Sequence, residues 1–408
     1  MDLLQKGAEL FDLSNIKKIL TFAHSTTICD EEVEKHGLDP WVQWVSVHTG
    51  KQMKSHQVVR TGEVPKLIYP QIWEILGSKG ISTGVWGAMN ASRNNSKQCK
   101  FFMPDPWTFS EEAHPRFLNN FLSLPRYYAK NYISLSKVNL IQGFSKAFWF
   151  FLKNQIFVRS YKEIFRTIGI LFKHGIKNSS LVSLFDIYST LSFIKYKKKY
   201  DPDFSILFLN SIAHFQHHFW ENDINKEIEL CLKVIDNLIG LLISSTKKNE
   251  PIIIMNGLGQ RNIYNHGVYI YRQIDPDLYL HELGISFVKV EQGMTNDGHV
   301  FFRSLDEMKK ASAILRSAKI KGSSLFFLEE GKGDSYNLFY QIDFEGKVDT
   351  NENYLIQGKE FNFFKHFVLL RQRTGEHVPF GDILSSSILL PPKLKNYSLI
   401  DSIIEYYK

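Results

Sequence analysis

The chain is poor in cysteine. Three stand in 408 residues, Cys29, Cys99 and Cys231, far apart and without a Cys-x-x-Cys pair. That spacing excludes a disulfide framework and a structural zinc knuckle, and it suits a reducing compartment. Long apolar runs are missing too. None approaches the ~20 residues that span a bilayer. Met1 to Ile19 mixes charge with apolar residues where a signal peptide would carry an uninterrupted core. The expectation is a cytoplasmic protein, with peripheral contact at the inner face of a membrane as the most it would make. There is no internal repeat and no low-complexity linker. Two suggestive fragments fall short as well. The stretch from Glu291 to His299 lacks phosphate-loop or dinucleotide spacing, and His281-Glu282 lacks the second histidine of a zinc protease.

What is present points to a packed globular protein. Hydrophobic residues make up 44% and charged residues 22%, which excludes disorder. The formal net charge is +7, which favours anionic partners: phosphorylated small molecules, nucleotide-activated sugars, acidic glycans or a lipid surface. The cations are scattered and no nucleic-acid motif is visible, so nucleic acid is not an expected partner.

Along the chain, Lys17 to Ala23 reads as a first strand that gives way to a loop at His24. Pro40 suits the first turn of a helix with Asp39 as its N-cap, and Gly50 suits the C-terminal cap. Pro70 to Lys79 reads as a helix, and Gly80 to Asn90 as a strand of small residues. From about Phe101 to Tyr200 aromatics and lysines crowd into helical spacing, ending in the basic run Lys195 to Tyr200. Phe204 to Leu209 is a strand-length apolar run that breaks into Asn210, His214, Gln216, His217 and His218. A buried strand ending in imidazoles and an amide is how α/β proteins present chemistry at the carboxyl edge of a sheet. Asn225 to Ser245 reads as a long amphipathic helix and Pro251 to Asn256 as a buried strand. Gly284 to Gln357 reads as a small region of its own, and the chain closes through Gly375 to Ser387 and a helix ending at Tyr407. The division expected is an α/β core over 1–100 and 201–408, with a helical, aromatic- and lysine-rich insertion over 101–200.

In this order the pieces resemble the alkaline phosphatase superfamily, nearest its nucleotide pyrophosphatase/phosphodiesterase branch. The carriers are Pro40 to Gly50, then Ile72-Trp73-Glu74-Ile75-Leu76, then Thr83-Gly84-Val85-Trp86-Gly87. Later come Asp236 to Leu242 with Ile252 to Asn256, and the closing His377-Val378-Pro379-Phe380-Gly381. The resemblance implies a three-layer α/β core with a mostly parallel central sheet. It also implies two divalent metals held by Asp and His, and a Thr or Ser nucleophile. Those motifs have degenerated. The nucleophile position falls on or beside Pro40. The first-strand Asp is absent, with His24 near its place. The family's Asp-x-x-x-His is Asn210 to His214, and its Ser-Asp-His-Gly corresponds to Asn256-Gly257-Leu258-Gly259. His377 is retained.

Neutral amides are poor zinc ligands, and a metal pair would lack the negative charge that holds about four positive charges. The expectation is therefore no metal and no cofactor, with room for a single weakly held divalent ion at most. It leads to a metal-independent transferase: a glycosyltransferase that uses a nucleotide-activated sugar, such as a CMP-sugar, in bacterial surface polysaccharide assembly. The acceptor would be a glycan or a lipid-linked glycan. His214, His377 and His24 are expected to converge, one of them or Asp39 acting as general base. Asn210, Gln216, His217, Asn256 and Gln260 would bond phosphate or sugar hydroxyls, and Arg93 would clamp an anion. His217 and His218 are neighbours, so one at most is expected in the site. Two alternatives stand beside this reading: a divergent phosphodiesterase- or phosphatase-type hydrolase using one metal, and a binding protein that kept the fold without the chemistry.

Overall fold

The computed structural model describes all residues except 1, 30–37, 95, 132–134, 157–159, 176–177, 222–223, 294 and 332–335. It divides into two compact units. The first takes the chain up to Ala129, then Leu135–Asn262 and Gly375–Lys408, and the second takes Lys130–Ser134 and Ile263–Thr374. The stretch that separates is thus 263–374, wider than the small region read from the sequence. The helical stretch within 101–200 belongs to the first unit apart from Lys130–Ser134.

In the first unit the strands are β1 (Ala23–Ile28), β2 (Thr83–Ala88), β3 (Cys99–Pro104), β4 (Phe204–Leu207), β5 (Ile253–Met255), β6 (Gly259–Asn262), β7 (Gly375–Val378), β8 (Phe380–Ser385) and β9 (Lys393–Lys395). The first strand starts later than its sequence suggests. Ser14–Ile19 is a helix, and β1 begins only at Ala23. The apolar run did suit a strand, but a distant carboxylate decides otherwise. Asp236 accepts the backbone N–H of Asn15 and of Ile16, each at 2.9 Å, which satisfies donors a helix start leaves bare. His24 therefore sits inside β1, not in a loop after it.

β2 is a buried run flanked on both sides by parallel strands, in the order β3-β2-β4. β3 lies where the sequence pattern suggested helix; Phe101, Phe102 and Met103 are all buried, so no alternation marks it as a strand. Gly84 is required here, because a Cβ would lie 2.3 Å from the Phe101 ring. Val85 packs with Trp73, Leu76 and Phe102, whereas Trp86 packs with Phe101, Phe121, Phe150 and Phe193.

The second sheet, β9-β1-β8-β5, is mixed. β1 runs parallel to β9, but β8 runs against both β1 and β5. The expectation of a mostly parallel central sheet therefore holds for β3-β2-β4 and not for this one. The architecture is mixed α/β.

The helices used below are α1 (Pro40–Thr49), α2 (Ile72–Ser78), α3 (Asn119–Asn131), α4 (Lys137–Lys153), α5 (Tyr161–His174), α6 (Asn178–Tyr200), α7 (Ser211–Phe219), α8 (Lys226–Ser245) and α9 (Leu399–Tyr406). α1 has the expected ends, Pro40 in its first turn and Gly50 left-handed at φ 67°. α8 starts on Asn225, whose side chain accepts from Glu227 and Ile228. No described helix is long and apolar enough to cross a membrane.

The second unit is an antiparallel sheet with its own core. Phe326–Glu330, Asn337–Ile342, Asp297–Phe301 and Lys289–Gln292 pair in that order. Tyr271, Tyr279, Tyr354, Phe363 and Phe367 are buried in its centre.

Candidate functional site

α7 follows β4 through Phe208 to Asn210, and its first turn is tied down from α6. The buried carboxylate of Asp186 accepts the backbone N–H of Ser211 at 2.8 Å and of Asn210 at 3.4 Å. Burial pushes the Asp186 carboxyl up to about 6, against the lowering effect of these hydrogen bonds. Asn210 is the N-cap residue, but its side chain makes no capping bond.

Spacings of three and four residues put His214, His217 and His218 on one side of α7. Their rings form a chain of contacts. His214 and His218 meet edge to face at 4.2 Å between centroids, His218 and His217 stand 5.9 Å apart, and His217 meets His377 edge to face at 4.6 Å.

His377 comes from β7, which pairs antiparallel with β6 so that His377 lies opposite Gln260. Directly opposed residues share a face. The His217 Nδ1 lies 2.8 Å from the Gly375 carbonyl, which can only accept, so Nδ1 carries a proton. In the neutral ring Nε2 is then an acceptor. It faces His377 Nε2 at 2.9 Å and the Gln260 amide nitrogen at 3.1 Å. Gln260 also reaches the Ala213 carbonyl at 3.3 Å. The approach of α7 to β7 depends on Gly375, because a Cβ there would lie 2.6 Å from the Gln216 carbonyl oxygen and 3.0 Å from the Gln260 side-chain oxygen.

The structure thus brings together His217, His377 and Gln260, and through ring contacts His214 and His218. The imidazole that meets His377 is His217, not the His214 that motif spacing pointed to. His24 and Asn256 meet elsewhere, at Asp382. His24 Nε2 lies 2.8 Å from Asp382 Oδ1, and the Asn256 side-chain oxygen accepts the Asp382 backbone N–H. Burial works to raise the Asp382 carboxyl, but the His24 hydrogen bond and nearby positive charge outweigh it, and the group is held low. His24 pairs with Leu384, at the opposite end of β1 from the Ile28–Phe380 pair. The expected convergence of His24 with His214 and His377 is therefore corrected: β1 begins six residues later than the sequence suggested, which shifts His24 to the amino end of the strand.

Asp39 is the N-cap of α1, with its carbonyl accepting from Val42 and Gln43. Arg93 points its guanidinium at the Cys99 carbonyl, at 3.3 and 3.4 Å. Gln216 is half-buried with its carbonyl against Gly375. Sequence reasoning passed over Asp186 and Asp382. Asp186 carries no local signal, because its partner is 25 residues away. Asp382 directly follows the closing Gly381, which was signal enough to find it.

A metal pair does not fit these residues. Among the described residues no group of three or more His, Cys, Asp or Glu could hold an ion. Asn210 and Asn256 stand where the resemblance asks for ligands, and Asn256 is bonded to the backbone of β8. A single divalent ion fits better. Two Nε2 atoms face each other at 2.9 Å, somewhat closer than the ~3.3 Å that two ligands on tetrahedral zinc would keep. The Nδ1–H to carbonyl bond of His217 is the outer bond that orients metal-bound imidazoles.

No protein-family model matches the chain, and no curated protein matches it. Among solved structures it is similar to phosphonoacetate hydrolase from Sinorhizobium meliloti 1021, determined in complex with phosphonoacetate. Identity is 12% over 99% of this chain and 92% of that one, with a TM-score of 0.43. It is also similar to human ectonucleotide pyrophosphatase/phosphodiesterase 5, at 10% identity over 96% of this chain and 88% of that one, with a TM-score of 0.45. Both are alkaline phosphatase superfamily members, the group that the sequence resemblance names. Both names describe hydrolytic enzymes, so the expectation of a glycosyltransferase is withdrawn in favour of the hydrolase alternative. The expectation of metal-independent chemistry and of no cofactor is withdrawn with it.

Proposed function

We propose that the chain is a divergent hydrolase of phosphorylated or phosphonylated small molecules, with its site at His217, His377 and Gln260. The observation that carries this is the 2.9 Å approach of the two Nε2 atoms, with the Gly375 carbonyl fixing the His217 tautomer. Such a pair is built from a helix and a strand, and its geometry is held by backbone. His217 and His377 would hold one divalent ion. When bound, that ion would polarise a phosphoryl oxygen. Gln260 has amide hydrogens to donate to a second anionic oxygen. His218 and His214, next along the imidazole chain, are placed to pass a proton to or from that pair. The net charge of +7 draws anionic substrates. A three-layer core of the alkaline phosphatase type belongs to the same proposal.

The test combines metal analysis of the purified chain with cleavage of nitrophenyl phosphate mono- and diesters, with and without added zinc or manganese. The expected outcome is ion uptake and an EDTA-sensitive activity, both lost in His217→Ala and His377→Ala. A folded protein that takes up no ion and cleaves neither ester overturns the reading and leaves the fold with a binding role.

A further inference from the structure

α5 is built inside out. Its inward residues include Glu163, 6% exposed, and Thr167, whereas Tyr161, Phe165, Ile168 and Phe172 face solvent. Their spacing of four, three and four residues makes one stripe along the helix. Phe165 is 71% exposed and Phe172 is 94% exposed. The helix cannot roll to hide this stripe without breaking its inner polar bonds. Glu163 accepts from Arg166 at 2.7 Å and from Asn237 of α8 at 3.0 Å. α4 repeats the pattern. Gly143, Ala147 and Phe150 face inward, and Ile141, Phe144, Phe148 and Leu152 are exposed.

The charges on these two helices have one sign outside. Lys137, Lys146, Lys153, Lys162 and Lys173 are exposed, and the single acidic residue of the two helices, Glu163, is turned inward. Exposed apolar stripes of this kind mark an interaction surface. Apolar rings flanked by lysines, on helices too short to span a bilayer, suit the boundary between headgroups and acyl chains. A second copy suits it less, because a symmetric pair would set these lysines against each other.

We propose that the outer faces of α4 and α5 dock this protein on an anionic lipid surface, lying in its plane. The basic run Lys195 to Tyr200, the other candidate for such contact, is partly engaged within the fold and shows no exposed apolar stripe. Lys197 pairs with Glu250, Tyr196 is buried, and Lys199 lies over the Tyr200 ring at 4.8 Å.

The experiment is flotation of the full chain with vesicles of phosphatidylcholine alone, and of phosphatidylcholine mixed with phosphatidylglycerol. Binding to the mixed vesicles only, weakened by salt, is the expected result. Phe165→Asp with Phe172→Asp should abolish it, and Lys162→Glu with Lys173→Glu should weaken it roughly tenfold. Circular dichroism should be unchanged in both, because the four side chains are exposed. Failure to float with mixed vesicles overturns the proposal, as does equal binding to both kinds. A dimer in light scattering that disperses in the Phe165→Asp, Phe172→Asp variant also overturns it, assigning the faces to a second copy.

Discussion

Residue type alone does not fix residue role in this chain, and its histidines show why. His48 is buried between Trp44 and Trp73, at 5.8 and 5.2 Å between ring centroids, and burial pushes it down to about 3. It is a neutral packing group. His217, seven positions after Asn210 where the apolar run breaks, is oriented by a carbonyl and faces a second imidazole. The buried Asp186 carries a pH signature of its own. Its carboxyl keeps its proton to about pH 6 in the fold but releases it near 3.8 when unfolded. Between those values the folded chain binds more protons, so this group's contribution to stability falls as pH rises through the window. The effect is at most about 3 kcal/mol. Asp186→Asn keeps an acceptor for Ser211 and cannot ionise. Urea unfolding at pH 4.5 and pH 7 should show the natural chain losing stability relative to the variant across that interval. Parallel behaviour of the two would mean that the carboxylate is ionised in the fold throughout.

At the scale of elements, the candidate site depends on one close approach. α7 carries three histidines and β7 carries the fourth, and the two meet over Gly375. Gly375→Ala should push them apart, with a destabilisation of about 1–3 kcal/mol from overpacking. Ion uptake and any esterase activity should fall with it, measured alongside urea unfolding. Unchanged stability and uptake would show that the backbone can yield there without moving His217. The same scale explains where sequence reading failed. The helix Ser14–Ile19 and strand β3 each overrode their local pattern. In the first, Asp236 caps from more than 200 residues away. In the second, burial on both faces erases the alternation that identifies a strand.

For the whole molecule, the decisive quantity is negative charge at the site. Two dications need carboxylates, and the described residues offer imidazoles and amides at the histidine cluster. Zinc titration followed by calorimetry should therefore saturate at one ion per chain or below, and His217→Ala should remove that uptake. Two tightly held ions per chain would show that the cluster is not the metal site. The outward stripes of α4 and α5 belong to this scale as well, because they gain nothing from the fold that displays them.

The sequence by itself determined the elements whose signals are local. The proline and glycine ends of α1, the Asn225 cap of α8, the buried strand β2, the half-buried strands β4 and β5, and the helical character of α3 to α6 all follow from residues a few positions apart. It also named His217, His377 and Gln260, which the structure brings together. Only the tertiary structure decided which imidazole meets His377, where β1 begins, and that β8 runs against its neighbours. Each of these is set by a partner more than a hundred residues away. Hydrogen bonds and close backbone contacts at such separation leave no period in the chain, and they exist only once the strands have paired.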